Sequence, residues 1–169
     1  EKIQSLSPDR VEPSCQYADI CGGCSWQHLS RQGQLDLKES WLRDLFSHLT
    51  PRLWQKPLSG QGSAYRSKAR LGVRFVAKRN KTLVGFRETA NSFIADVSRC
   101  DILVPPLGDL LEPLSQLIDR FAEPSMIPQI EVAAGEGRAA LVIRHLAGLP
   151  EEDLLALAAF AEQHEVLIF

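Results

Sequence analysis

The chain has 169 residues, 44% of them apolar and 24% charged, with a net charge of −2. That length suits one substantial core, or one core with a small appended segment, and the composition is ordinary for a globular protein. No apolar run approaches the roughly 18 residues of a membrane span, and no secretory signal opens the chain.

Residues 1–14 are polar and Pro-containing and read as a leader from an upstream domain. The chain opens on Glu1 rather than Met and stops on the apolar run Val166-Leu167-Ile168-Phe169, as expected of a piece of a longer protein. Residues 15–28 hold three cysteines, two adjacent glycines and few periodic apolar positions, which predicts a loop. A helix is expected over 29–49, where Leu35, Leu42, Leu45, Phe46 and Leu49 share one stripe and Pro51 ends the pattern. A Gly-, Ser- and Pro-rich connector covers 55–63.

Residues 65–77 alternate. Ala69, Leu71, Val73 and Phe75 face one way, while Arg66, Lys68, Arg70 and Arg74 face the other. A turn at Lys78-Arg79-Asn80-Lys81 and a return over 82–87 make a hairpin. A third strand is expected over 93–97, leading into Cys100. After Pro105-Pro106 a helix runs to Phe121, kinked or restarted at Pro113. A second hairpin joins 130–134 to 139–145 through Gly135-Glu136-Gly137. An Ala/Leu-rich helix over 150–164, with acids in its first turn, precedes a final buried strand. The whole reads as α+β, with a largely antiparallel sheet, packed helices and a Cys-rich loop.

Charge is unevenly spread. Between Asp44 and Glu88 there is no acidic residue, yet that stretch holds ten of the nineteen Lys and Arg. Such asymmetry points to a polyanionic partner. On the alternating strand the cations share a face, which the bland reading makes a solvated sheet surface. Tyr65, Phe86 and Trp54 could stack unpaired bases or simply pack. Arg87 is either part of that surface or a structural partner for Glu88 or Asp96. Trp26 and Trp41 read as core residues shielding the cysteine loop, and His28 as a packing residue beside it.

The four cysteines are Cys15, Cys21, Cys24 and Cys100, the first three spaced C-x5-C-x2-C with Gly22-Gly23 inside the last pair. The glycines allow a tight turn that exposes amides to one centre. Three readings fit. A disulfide framework suits an even count but finds no other sign of secretion. A zinc site suits four thiolates but usually shows two close pairs. A compact loop of three with a distant fourth suits a [4Fe–4S] cluster.

The run from Cys15 through Cys-Gly-Gly-Cys to Gln27-His28 resembles the cluster loop of the iron–sulfur class of 23S rRNA (uracil-5-)-methyltransferases. Further pieces agree in order: Tyr65-Arg66-Ser67-Lys68-Ala69-Arg70-Leu71, Val84-Gly85-Phe86-Arg87, Ile94-Ala95-Asp96-Val97, Cys100-x-Ile-Leu-Val-Pro-Pro, and Leu141-Val142-Ile143-Arg144-His145. The resemblance implies a TRAM domain ahead of residue 15 and a central domain over 15–169. It also implies a following catalytic domain that uses S-adenosylmethionine. It implies Cys15, Cys21, Cys24 and Cys100 as cluster ligands, and ribosomal RNA contact at Arg66, Lys68, Arg70, Arg74 and Arg87, with Arg70 near the active site. A cytoplasmic, monomeric parent enzyme is expected, with no membrane partner. Uracil methylation needs a free cysteine nucleophile. All four cysteines are committed elsewhere, and no Gly-rich cofactor motif is present, so the chain alone should be inactive. A zinc-stabilised RNA-binding module and an electron-transfer iron–sulfur protein are the rival readings.

Overall fold

The computed structural model describes residues 4–169; residues 1–3, the start of the expected leader, lie outside the described residues. Alternation produces the hairpin where it was expected. β1 (Lys68–Val76) and β2 (Lys81–Gly85) pair antiparallel through a 3-10 turn over Ala77–Arg79. Asn80 takes the left-handed conformation there, which asparagine tolerates. β3 (Gln129–Gly135) pairs with the other edge of β1 and β4 (Arg138–Arg144) with β3, both antiparallel. Gly137, at φ 78°, supplies the turn between them.

The sheet order is β2-β1-β3-β4-β5, so the α+β class with a largely antiparallel sheet holds. β5 (Val166–Ile168) is the exception, lying parallel to β4 because α3 (Glu151–Gln163) carries the chain back across the sheet. As an edge strand it buries only Val166 fully; Leu167 and Phe169 are exposed.

One sheet face packs Leu71, Ile130, Val132 and Leu141 against α2 (Leu111–Ile118) and the inner face of α3. Leu111, Leu114 and Ile118 recur at helical spacing, so α2 turns one stripe onto the sheet. Polar ties set its position: the Thr82 amide donates to Asp119 Oδ1 at 2.5 Å, and the Ser115 hydroxyl donates to the Thr82 carbonyl. The expected helical run is interrupted before α2, and Pro113 falls where it restarts. The proline sits in the first turn, after a 3-10 turn over Leu107–Asp109, where its missing N–H has no intrahelical partner to lose.

Two expectations change. Residues 93–97 form no strand. They make an isolated bridge, Arg87 with Ile94, and then leave the sheet, where the Ser98 carbonyl accepts from the Glu112 amide at the start of α2. The first helix, α1 (Arg31–Leu45), is shorter than expected. The Ser30 hydroxyl caps it by accepting from the Gly33 amide at 3.0 Å. Its apolar stripe is real but not packed: Leu42, Leu45 and Leu49 are 45%, 68% and 50% exposed, and Gly33 is the only buried residue of the helix. No described element lies against that stripe. No described helix is long and apolar enough to cross a membrane.

Candidate metal centre and nucleic-acid interface

The cysteine loop is built on the sheet, not beside it. Residues 9–11 of the expected leader pair with 28–30, through the Arg10–Leu29 bridge and the Ser30 amide donating to the Asp9 carbonyl at 2.7 Å. Cys21 bridges Glu88, the Gly22 amide donates to the Arg87 carbonyl at 2.8 Å, and the Thr89 amide donates to the Ile20 carbonyl at 2.9 Å. The Tyr17 hydroxyl meets Ser98 Oγ at 2.7 Å and accepts from the Ser98 amide. Together these ties bring the loop against the segment that carries Cys100.

All four cysteines line one cavity, with Tyr17, Phe86 and Val97 among its walls, and the lining is almost wholly apolar. Gly23 is required here for closeness, not for a left-handed turn. A Cβ on it would stand 3.0 Å from two carbons of the Phe86 ring. Its amide donates to Cys21 Sγ at 3.4 Å. Cys100 is seated the same way. Its sulfur accepts from the amides of Ile102 and Leu103, and Gly108 lets the next turn press against its carbonyl, where a Cβ would collide at 2.5 Å.

Burial pushes the thiols of Cys21 and Cys100 above their usual range, amide hydrogen bonds draw them partly back, and charge on the neighbouring sulfurs raises them further. Thiolates at Cys21 and Cys100 are therefore favoured only beside positive charge. The free space is about 20 Å³, where one water needs roughly 10–15 Å³. That excludes an organic ligand but suits an inorganic centre, whose bonds to sulfur are far shorter than van der Waals contacts. Among the described residues no three Cys, His, Asp or Glu side chains converge tightly enough to hold a metal ion.

The expected basic residues fall into two places. Lys68, Arg70 and Arg74 are exposed along β1 as the alternation required. Arg70, Arg74 and Arg87 line a groove on that side with the exposed ring of Phe93. Arg66 belongs elsewhere: half-buried, it places its guanidinium 5.6 Å from the Phe86 ring centre and lines a separate cleft with Tyr65.

The acid-free stretch of sequence is not acid-free in space. Asp96 takes Arg79 at 2.5 Å and Lys81 at 2.7 Å. Glu131, opposite Arg70 in the β1–β3 register, takes Arg144 at 2.7 Å and Arg70 at 3.8 Å. Hydrogen bonding from Arg144 holds the Glu131 carboxyl below its usual range. Arg87 pairs with neither Glu88 nor Asp96; it donates to the Ser92 carbonyl at 3.2 Å. Among the described residues, Lys68, Arg74 and Arg87 have no ion-pair partner.

Trp26 and Trp41 meet edge to face at 5.1 Å, but Trp41 is 57% exposed and not a core residue. Trp54 lies under the Arg43 guanidinium at 4.4 Å. The second cleft also holds Arg31, Gln34 and Lys38, which the sequence pattern alone did not single out. Their spacing of three and four residues, one helix face, was the available signal.

No protein-family model matches the chain. It is 46% identical over 164 residues to the 23S rRNA (uracil(1939)-C(5))-methyltransferase RlmD of Alcanivorax borkumensis, covering 95% of this chain and 37% of the relative. The protein of the same name from Hahella chejuensis is 46% identical, covering 100% of this chain and 39% of the relative. That from Nitrosococcus oceani is 47% identical, with 99% and 38% covered. The chain thus spans under two fifths of the length of these relatives, and it belongs to the 23S rRNA (uracil-C5)-methyltransferase family.

Proposed function

We propose that this chain is the cluster-binding, RNA-contacting portion of an enzyme that methylates C5 of a uridine in 23S rRNA with S-adenosylmethionine. In this reading the parent enzyme is cytoplasmic, and the 169 residues are inactive without the catalytic domain. The observation that carries it is the meeting of Cys100 with Cys15, Cys21 and Cys24 in one apolar cavity.

These four thiolates would hold a [4Fe–4S] cluster, which supplies positive charge and covalent cross-links between the loop and the segment behind β2. The chain's own residues prepare for it. Gly23, Ile102 and Leu103 aim amides at sulfur, and Phe86 and Val97 exclude water. Lys68, Arg70, Arg74 and Arg87 would face the phosphates of the RNA, with Arg66 set apart from them. With a centre claiming all four, none of the cysteines serves as the nucleophile that adds to uracil.

Anaerobic purification with iron, acid-labile sulfide and visible absorption measured together is the test. Four irons and four sulfides per chain, lost together in Cys24→Ser, are expected. One zinc per chain without sulfide would replace the cluster by a mononuclear site.

A further inference from the structure

A second cleft beside the cysteine loop gathers cations without a carboxylate. It lies between α1 and residues 60–66 and encloses about 560 Å³, within the range of roughly 300–1,000 Å³ typical of ligand sites. Arg31, Lys38 and Arg66 line it, and no carboxylate does. None of the three has an ion-pair partner among the described residues. The β1 groove differs in both respects, since Glu88 lines it and Glu131 draws on Arg70.

Three cations facing one concavity repel one another unless an anion enters. Their present interactions leave them able to receive one. Arg31 spends one N–H on the Gly60 carbonyl at 3.3 Å, Lys38 rests over the Trp26 ring at 5.4 Å, and Arg66 over Phe86. A guanidinium has five N–H donors and an ammonium three, so most remain. The walls add what a nucleobase needs. Tyr65 is 53% exposed at the rim, offering a ring face. Among the described residues the amides of Gly60, Gln61 and Gly62 donate to no backbone acceptor, so polar groups line the wall opposite.

We infer that this cleft holds an unpaired stretch of the RNA: Arg31, Lys38 and Arg66 take its phosphates, and Tyr65 stacks one base. A duplex is too wide and presents no free base face, so the site selects single strand. The inference rests on the RNA reading above but concerns a different surface from the β1 face.

The test uses the full-length protein and two fluorescent probes of equal charge, a single-stranded oligouridylate and a blunt RNA duplex. Tyr65→Ala is expected to weaken the single strand about tenfold and leave the duplex unchanged, with Tyr65→Phe restoring wild-type affinity. Arg31→Ala with Lys38→Ala is expected to flatten the salt dependence of single-strand binding by about 1.4 in log–log slope, about 0.7 for each phosphate no longer neutralised. All three side chains lie on the surface, so the variants keep the fold. If Lys68→Ala with Arg74→Ala weakens binding and the cleft variants do not, the cleft is overturned and RNA contact at β1 stands. If neither set weakens binding, the RNA reading falls and takes the cleft with it.

Discussion

The two halves of the chain are held together by different physics. From β1 onward the protein is an aliphatic core: among the described residues no buried apolar residue precedes Leu71, and the body buries Leu71, Leu107, Leu111, Leu114, Ile130 and Leu141 completely. Before β1, Gly33 is the only buried residue among those described. The N-terminal half is attached by backbone hydrogen bonds, by Tyr17 on Ser98, and by the sulfur-lined cavity it shares with Cys100. One half is stable by hydrophobic burial, and the other is positioned by polar ties and, in the reading proposed above, by a centre held on the sulfurs.

The largest effect belongs to the core. Leu114→Ala, fully buried in α2 against the sheet, should cost about 2–5 kcal/mol in urea unfolding. Cys100→Ser should come next, at about 2–4 kcal/mol by analogy with a long-loop cross-link. Its damage should be local: hydrogen exchange should speed up over 15–28 and 86–89 while β3 and β4 amides stay protected. Equal loss of protection in β3 and β4 would merge the two halves into one cooperative unit and end the comparison.

Asp96 tests the polar layer more gently. Hydrogen bonds from Lys81 and then Arg79 hold its carboxyl below the ordinary value of 3.8. A depressed carboxylate stabilises the fold at pH above its unfolded value and loses that contribution as pH falls through the lower, folded one. The effect therefore appears only below about pH 4. The groups are largely exposed, so its size should stay under about 1 kcal/mol. Urea midpoints measured from pH 5 down to pH 2 should fall less steeply for Asp96→Asn than for the parent chain.

What the sequence made legible follows the same division. The β1–β2 hairpin and its cationic face could be read because alternation is a local property, and the cysteine spacing could be read because three of the four cysteines sit in one loop. The pairing of Arg70 with Glu131 could not. It depends on the β1–β3 register, set between residues some sixty positions apart. The same holds for Asp96, which lies past the end of the acid-free stretch yet folds back onto Arg79 and Lys81. The cleft was missed because Arg31, Lys38, Tyr65 and Arg66 come from two separate segments that only the fold brings together.

The smallest predicted effect carries the most information about α1. Its stripe of Leu42, Leu45 and Leu49 has the spacing that an amphipathic helix ordinarily turns onto a core. In the fold Leu42 and Leu45 are 45% and 68% exposed, beside Trp41 and Phe46, with no described element against them. An exposed leucine has little burial to lose. Leu42→Ala and Leu45→Ala should therefore each change the stability of this 169-residue chain by less than about 0.5 kcal/mol, against several for Leu114→Ala. The same pair in a full-length protein supplies the contrast. A loss there of 2 kcal/mol or more, roughly the scale of burying such a side chain, would mean that the apolar stripe is a core position whose partner lies beyond these residues. No loss in either setting would leave the stripe as plain surface, and helical periodicity would have been a false guide to burial.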